Sequence, residues 1–319
     1  MTRLTVSRLD QLRKWYLRKA LPKSLRHMNR LHPDFRLEQT GNSDDPHYGI
    51  YWKGKPAGQT NPLTSLRKPL TSQCFIIATG PSLAQTDVSK LAGHTCFGVN
   101  GAITLADSSG LSFQYHLVSD GSFVRDRFQL VRRMIASGAE CLFSFAALSM
   151  ICEQEPALLA SPNLYLLPEM NYRYQIPRLT PEAFRAWATQ QEYITLHPDP
   201  GFNSGRVGFS RDINQGVFTA QTVVFEALQV ACYLKFRQVF ILGLDLNASP
   251  GQARFYEQGD KVIKSRIDRD YAPCILPAFE VARDMAASHN FEIYNLSRES
   301  RLPDTVIPKI SLEDALDMT

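Results

Sequence analysis

The chain lacks the marks of several well-defined protein classes. Its six cysteines form no C-x-x-C pair and no zinc-ligand spacing, and several lie inside apolar runs. We therefore expect reduced core cysteines in a cytoplasmic protein. No apolar run reaches the roughly 18 residues that a membrane-spanning helix needs. The N-terminus lacks the apolar core and small-residue cleavage site of a signal peptide, so we expect no secretion signal.

The chain has little net charge, but that charge is unevenly distributed. Residues 1–30 contain nine Lys or Arg and one acid, Asp10, which gives +8, so the remaining residues carry −4 of the total of +4. The body is therefore mildly acidic, and the basic character belongs to an N-terminal arm. This distribution argues against a general nucleic-acid binder, whose basic patch should belong to the folded body.

The N-terminal arm has the pattern of a basic amphipathic helix. Apolar residues recur at helical spacing among basic ones within residues 1–31, and Pro22 ends the pattern. Trp15 and Tyr16 could anchor such a helix at a membrane surface. Two interpretations stay open: a helix lying on an anionic membrane, or a solvated helix docked on the body.

Composition also predicts the limits of the folded part. Residues 32–72 are rich in turn-forming residues and predict an irregular connection, with a short hairpin around residues 48–52. We therefore divide the chain into an arm and connection (1–72), one large folded domain (73–300) and a C-terminal tail (301–319).

A short apolar run followed by a Gly-Pro-Ser turn opens the predicted domain. Residues 75–78 fit a strand buried on both faces of a parallel sheet. Gly80 and Pro81 end that strand, because Gly permits unusual backbone angles and Pro cannot donate to a sheet. The turn is neither a P-loop nor the dinucleotide motif G-x-G-x-x-G. It is either an anion-binding turn at a strand end or a tight turn without a ligand.

Beyond this turn, strand-like and helix-like segments alternate, which predicts an α/β fold. We expect a Rossmann-like, mainly parallel sheet flanked by helices in a single large domain with a basic N-terminal arm. Strands are predicted at residues 74–78, 95–99, 115–118, 140–145, 164–167, 238–242 and 291–294, and helices at 123–137, 181–190, 223–236 and 275–287.

Polar residues follow several of these strands. Thr79-Gly80, Asn100-Gly101 and Asp120-Gly121 end three successive strands, and Asp245 follows a later one. Because parallel strands end at one edge of a sheet, these groups predict a pocket lined by amides and hydroxyls. The alternative is ordinary turn chemistry at strand ends.

Two further segments complete the candidate pocket. Residues 197–214 form a long loop-like stretch of the kind that often serves as a lid or binding loop. Residues 214–216 lead towards the helix predicted at 223–236, which is apolar nearly all round and so should be buried. Its N-terminus, expected around residues 216–219, would offer unpaired backbone N–H groups.

Taken together, these segments resemble the bacterial sialyltransferases that have a single Rossmann-like domain and use CMP-sialic acid. A related group, the Kdo (3-deoxy-D-manno-octulosonic acid) transferases of the lipopolysaccharide core, is similar to the chain as well, and a basic arm suits an enzyme with a membrane-lipid acceptor. The resemblance covers about residues 74–300 and rests on Ile-Ile-Ala-Thr-Gly-Pro-Ser-Leu (76–83), Val-Asn100, Ser-Asp120, Gln-Gly216 and Phe-Ile-Leu-Gly-Leu-Asp245.

The resemblance implies a cytidine nucleotide pocket at the strand ends. The Gly-Pro-Ser turn would approach the donor phosphate and sugar, and the residues before the buried helix would meet the cytidine. The donor-binding residues implied are Thr79, Gly80, Pro81, Ser82, Asn100, Asp120, Asn214, Gln215, Gly216 and Asp245.

The implied catalytic residues follow the family only in part. Tyr256 matches a tyrosine that stabilises the leaving phosphate. No histidine stands before the penultimate helix, where the family has its general base, and this region reads Asp268-Arg-Asp270 instead. We take Asp270 as the first choice of base, with Asp268 and His197 as alternatives. Gln215 also departs from the family, which has a small hydroxyl residue there.

The expected activity is transfer of a 2-keto sugar acid, foremost Kdo, from a CMP donor to a lipopolysaccharide inner-core acceptor. We expect inversion and no metal or other cofactor, since Asp268-Arg-Asp270 precedes a helix and a CMP donor has one phosphate. The enzyme would work at the cytoplasmic face of the inner membrane, bound through residues 1–31. Alternatives are a sialyltransferase and a pterin-type pyrophosphokinase-like nucleotide binder. The acceptor hydroxyl and oligomeric state stay open.

Overall fold

The computed structural model describes residues 12–13, 15–16, 19–29, 31–42, 45–199, 202, 206–247 and 266–318. Those described between 12 and 20 are helical, and a short 3₁₀ helix, Lys23–Met28, follows Pro22. Tyr256 lies outside the described residues.

A small antiparallel sheet comes first. Its strands are β1 (Phe35–Gln39), β2 (Tyr48–Trp52) and β3 (Lys55–Gln59), in the order β1-β2-β3. Leu37 and Ile50 are paired partners and are both buried, so one face of the sheet carries apolar side chains. The hairpin predicted around residues 48–52 is instead the central strand of a three-stranded sheet, so this stretch is not an irregular connection.

The main sheet has seven strands. They lie in the order β12-β11-β4-β5-β6-β7-β8, and the pairs β12-β11, β11-β4, β4-β5, β5-β6 and β7-β8 are parallel. The predicted α/β class with a mainly parallel sheet is confirmed. The strands are β4 (Gln73–Ile77), β5 (Cys96–Val99), β6 (Tyr115–Val118), β7 (Glu140–Phe143), β8 (Leu164–Leu166), β11 (Gln238–Leu242) and β12 (Glu292–Asn295).

The hydrophobic core surrounds the central strands. β4 and β11 are buried along nearly their whole length, which is why their sequences are almost continuously apolar. Phe75 and Phe240 stack in adjacent strands with ring centroids 5.1 Å apart. Five cysteines of the chain are buried, one is partly exposed, and all are free thiols as expected.

Helices separate the strands, as predicted, with two changes. The helix expected at 123–137 is two helices, because Arg127 leaves helical geometry at φ −129° and ψ 35°. The buried helix ends at Tyr233, just before Lys235 at φ 69°. The helices up to this point are α1 (Leu105–Ser109), α2 (Gly121–Asp126), α3 (Phe128–Ala136), α4 (Phe145–Gln154), α5 (Pro181–Ala188) and α6 (Val223–Tyr233).

The last long helix contains a π-helical turn. It begins as α7 (Ile267–Asp270), widens over Tyr271–Ile275 and continues as α8 (Leu276–Ser288). Pro273 and Pro277 supply no N–H for the regular i→i−4 bonds, which favours the wider turn. A final helix, α9 (Leu312–Asp317), lies in the stretch predicted as a tail.

The loop predicted at 197–214 contains a strand. β9 (Ile194–Leu196) pairs antiparallel with β10 (Gly208–Ser210), so the segment is a hairpin with a long connection. In the described part of the chain, none of the helices is both long and apolar enough to cross a bilayer.

The chain divides into two compact units, each made of separate segments. One unit comprises residues 1–67, 118–180 and 214–216. The other comprises residues 68–117, 181–213 and 217–319. The domain limits expected from sequence stay predictions.

Candidate functional site

The Gly-Pro-Ser turn directly follows β4 and is fixed by the loop after β11. The N–H of Gly80 donates to the carbonyl oxygen of Gly243 at 2.9 Å. A Cβ on Gly80 would lie 2.5 Å from that oxygen and 2.4 Å from Oδ2 of Asp245. No side chain fits there without movement, so glycine is required at this position by close approach. Pro81 then begins a 3₁₀ turn, Pro81–Gln85.

Asp245 is the anchor of this turn. Its Oδ2 accepts the N–H of Ser82 at 2.8 Å, and its Oδ1 accepts the Ser82 hydroxyl at 2.5 Å. The residue is only 4% exposed. Asp245 and the Gly-Pro-Ser turn are 163 residues apart in sequence, and the structure brings them into direct contact. The carboxylate therefore acts on the shape of the turn through Ser82.

The strand after β11 supports the same anchor. The Ser82 hydroxyl lies 3.3 Å from the hydroxyl of Ser297, whose N–H donates to Oδ1 of Asn295 at 3.0 Å. The backbone N–H of Arg301 donates to the carbonyl oxygen of Asp245 at 2.8 Å. The parallel strands β4, β11 and β12 thus end in one hydrogen-bonded polar cluster. The Thr79–Ser82 turn belongs to this cluster and is partly exposed.

Asn100 follows the neighbouring strand β5 and has a left-handed backbone, with φ 47°. Its carbonyl oxygen accepts a hydrogen bond from Nε2 of His116 at 3.0 Å. Its side-chain Oδ1 is buried and finds no hydrogen-bond partner among the described residues. Asparagine adopts this conformation more readily than most other non-glycine residues. The unsatisfied amide oxygen gives Asn100 spare capacity to accept a hydrogen bond from a ligand.

His116 holds Asn100 from the adjacent strand β6. The ring is 1% exposed and packs against Phe113, with ring centroids 5.4 Å apart. Gly98 makes room for it, because a Cβ there would lie 2.5 Å from the ring. Burial lowers the pKa of His116 to about 4. The imidazole is therefore neutral near pH 7 and donates through Nε2.

Asp120 caps the helix that follows β6. Its Oδ1 accepts the N–H of Ser122 at 2.8 Å, and its Oδ2 accepts the Ser122 hydroxyl at 2.7 Å. This is the N-cap of α2, the turn chemistry that sequence left open as an alternative. The predicted role of Asp120 in donor binding stays a prediction.

Residues 214–216 are held by an arginine that sequence analysis did not single out. One guanidinium nitrogen of Arg173 lies 2.5 Å from the carbonyl oxygen and 3.0 Å from Oε1 of Gln215, and 3.4 Å from the carbonyl oxygen of Asn214. Gly216 has φ +119° and lies close to the backbone of Met170. The helix begins only at Val223, so a loop separates residues 214–216 from it. The prediction that the N-terminus of this helix lies around residues 216–219 was wrong.

The two candidate acids lie in α7, the first turn of the last long helix, and not before a helix as expected; their environments differ. Asp270 accepts two bonds from Arg269, both at 2.8 Å, and its side chain is 15% exposed. Asp268 pairs with Arg301 at 2.8 Å and is 68% exposed. Asp270 stands directly before the π-helical turn. Burial raises the pKa of Cys274 to about 11, and the negative charge of Asp270 adds to that shift. Of the two, Asp270 is the more enclosed.

His197, the third candidate base, lies at the end of β9. Its Nδ1 accepts the N–H of Asp199 at 3.3 Å, and its ring packs on Phe202 with centroids 4.4 Å apart. These contacts are local to the hairpin. Across the described ranges, the structure contains no cluster of three or more His, Cys, Asp or Glu side chains suited to a metal ion.

Gln229 is a structural residue of α6 that sequence analysis missed. It is fully buried, and its Oε1 accepts N–H bonds from Ser210 at 3.0 Å and Phe218 at 2.9 Å. Its Nε2 donates to the carbonyl oxygens of Phe218 and Phe225. A polar residue inside an apolar helix is the available sequence signal, because buried amides need partners.

Comparison with known families identifies this chain. A family described as 3-deoxy-D-manno-octulosonic acid transferase WaaZ matches residues 59–313. A protein of Escherichia coli strain K12, named "Probable 3-deoxy-manno-octulosonic acid transferase", is 38% identical over 249 residues, 78% of this chain and 86% of the relative. The chain belongs to the WaaZ family of Kdo transferases. Glycosyltransfer is therefore the reaction class of the protein.

Two more distant proteins are also similar to this Kdo-transferase family member. One, from Salmonella typhimurium strain LT2, has the same name as the Escherichia coli protein and is 22% identical over 255 residues, 80% of this chain and 93% of the relative. The other is the solved structure of the MAf glycosyltransferase from Magnetospirillum magneticum AMB-1, with a TM-score of 0.44 and 13% identity. The similarity covers 77% of this chain and 35% of that one.

Proposed function

We propose that the protein transfers Kdo from CMP-Kdo to an inner-core sugar of lipopolysaccharide. The observation that carries this proposal is the family match over residues 59–313, which includes every described residue of the candidate donor site. The names of both curated relatives specify the same sugar acid. They favour Kdo over the sialic acid donor that the sequence left open.

In this proposal, the turn after β4 receives the donor phosphate. A CMP-sugar has a single phosphate, and a partly exposed turn at the carboxyl end of a parallel strand suits one anionic group. Ser82 already gives its N–H and hydroxyl hydrogen to Asp245. We therefore assign Ser82 and Asp245 to holding the turn, and the Thr79 hydroxyl to the phosphate. Asn100, with its unsatisfied Oδ1, would accept a hydrogen bond from the nucleotide sugar.

The reaction would be a single displacement with inversion. A base takes the proton of the acceptor hydroxyl, that oxygen bonds to the anomeric carbon of Kdo, and CMP leaves with the bonding electrons. Asp270 is the proposed base, because it is the more enclosed carboxylate beside the π-helical turn. Its remaining lone pairs can accept a proton while Arg269 orients it. Tyr256 would donate to the departing phosphate, and we propose that no metal takes part.

The acceptor would be reached at the cytoplasmic face of the inner membrane. In the N-terminal helix, Leu12, Trp15 and Tyr16 are 63%, 54% and 68% exposed. The ammonium of Lys19 lies 4.5 Å from the centroid of the Trp15 ring. Exposed apolar and aromatic side chains among cations favour an anionic lipid surface over a fully solvated helix.

The deciding experiment supplies the full-length protein with CMP-Kdo and a lipooligosaccharide acceptor, and follows the product by mass spectrometry. We expect one added Kdo residue and release of CMP, with equal rates in EDTA and in added manganese. Parallel reactions contain CMP-sialic acid, or ATP with a pterin. Transfer of sialic acid alone, pyrophosphate transfer from ATP, or activity that EDTA abolishes and manganese restores would contradict the proposal.

A further inference from the structure

The segment that carries Arg173 forms a second surface beside the basic N-terminal arm. Residues 172–179, which we call the 172–179 loop, pack on the 3₁₀ helix Lys23–Met28. The His27 Nε2 donates to the carbonyl oxygen of Arg173 at 2.8 Å, and the Arg178 N–H donates to the carbonyl oxygen of Ser24 at 3.0 Å. The loop and the arm therefore form one structural element within the same compact unit.

A second set of contacts links the loop to the N-terminal helix. Tyr174 packs edge-on against Phe35, with ring centroids 5.9 Å apart. The preceding residue, Asp34, pairs with Arg13 of the helix at 2.7 Å. The loop, the 3₁₀ helix and the N-terminal helix are thus joined by a continuous series of contacts.

Exposed apolar side chains are concentrated on this element. Among the described residues, seven large hydrophobic side chains are exposed, and five of them belong to the N-terminal helix or the loop. In the loop, Ile176 is 51% exposed and Leu179 is 42% exposed. Single exposed apolar residues are ordinary, but five on one joined element call for a partner that covers them.

The positive charge of the loop and the N-terminal arm indicates what kind of partner covers these apolar side chains. Residues 19–29 and 170–180 contain five Lys or Arg and not one acid. Lys23 and Arg26 are exposed, and Arg178 is partly exposed beside Ile176 and Leu179. Cations interleaved with apolar side chains fit the interface of an anionic bilayer, where phosphates meet the acyl chains.

We propose that the 172–179 loop is a second membrane contact, in which Ile176 and Leu179 enter the headgroup region of an anionic phospholipid bilayer and Arg178 meets its phosphates. The proposal rests on the membrane location proposed above for the N-terminal arm. Two contacts joined in one element bind more tightly than either alone, because the second binds at a high effective concentration.

This contact would also orient the part of the candidate donor site that lies in the same compact unit as the loop. Arg173 belongs to the same loop and bonds to Asn214 and Gln215, which are proposed to meet the cytidine. Lipid contact by the loop therefore fixes these residues relative to the membrane surface.

The test uses the full-length protein and sedimentation with phosphatidylcholine vesicles, with or without phosphatidylglycerol. The variant Ile176→Ser/Leu179→Ser should lower partitioning onto the anionic vesicles at least about tenfold, equivalent to about 1.4 kcal/mol. Leu70→Ser is the matched control, since Leu70 is 100% exposed and belongs to the other unit. It should leave partitioning unchanged. Both variants should melt like wild type, because the changed side chains are exposed.

Three outcomes would overturn the proposal. The first is wild-type partitioning of the double variant onto the anionic vesicles. The second is equal binding to neutral and anionic vesicles. The third is a changed oligomeric state with unchanged vesicle binding, which would make the surface an interface between copies. Transfer from CMP-Kdo to a soluble acceptor fragment is measured separately, so loss of the proposed enzymatic function is distinguishable from loss of the membrane contact.

Discussion

Replacing Asp245 by Ala should destabilise the fold through the turn that Asp245 holds. The substitution removes the acceptor of the Ser82 N–H at 2.8 Å and of the Ser82 hydroxyl at 2.5 Å. Hydrogen bonds to a charged group contribute about 1.5–3 kcal/mol each. The hydroxyl can still turn to Ser297 at 3.3 Å, which recovers part of one bond. We expect the free energy of unfolding to fall by about 2–4 kcal/mol.

The assay is urea unfolding followed by intrinsic fluorescence, with a matched control. Asp87 makes the same pair of contacts with Ser89, to the N–H at 3.2 Å and the hydroxyl at 2.5 Å, but at the exposed surface. Asp87→Ala should therefore cost much less than Asp245→Ala. Asp245→Asn should fall between them, because an amide oxygen still accepts one N–H. The reasoning is refuted if Asp245→Ala and Asp87→Ala lose equal stability.

Three further predictions test the neighbouring residues. Gly80→Ala should lower the free energy of unfolding by about 1–3 kcal/mol, because the new Cβ would lie 2.4 Å from Oδ2 of Asp245. The control is Gly49→Ala, whose new Cβ would have a side-chain atom at 3.3 Å as its nearest neighbour and should cost less in the same urea titration. Equal losses in the two variants would contradict this prediction. The pKa of His116 is about 4 in the fold against about 6.5 unfolded. As the pH falls, the unfolded state takes up the proton before the folded state does. The free energy of unfolding is therefore unaffected by His116 above pH 6.5 and falls between pH 6.5 and pH 4, by up to about 3 kcal/mol. His116→Gln should lack this part of the acid destabilisation, and identical pH profiles would refute it. Asp270→Asn should lower kcat for Kdo transfer at least about 100-fold while CMP affinity is kept; wild-type turnover would remove Asp270 as the base.

The strands of the main sheet were predictable because each buried strand appears in the sequence as a short apolar run. Residues 115–118 and 238–242 were placed at their observed limits, since a strand buried on both faces is mostly apolar. The sheet at residues 35–59 was predicted only as a short hairpin around residues 48–52. Its strands have only five residues each. β1 alternates but is too short to give a clear signal, and Pro or Gly interrupts the apolar residues of β2 and β3, which masks the alternation on which prediction depends.

The candidate site was predictable only where a residue marks the end of a strand. Gly80, Asn100 and Asp245 follow β4, β5 and β11, so parallel pairing alone places them at one edge. The partners that hold them were not predictable. His116 lies inside an apolar strand, and Arg173 lies in a loop 42 residues from Gln215, so neither shows a local pattern.

The sequence by itself determined the α/β class, the family and the basic apolar character of the N-terminal arm, because each depends on the order of nearby residues. Only the tertiary structure decided that Asp245 supports the turn through Ser82, that a neutral histidine holds Asn100, and that the 172–179 loop joins the arm. The physical reason is distance along the chain. A hydrogen bond between residues that are far apart in sequence has no periodicity, and it exists only once the strands and loops between them have packed.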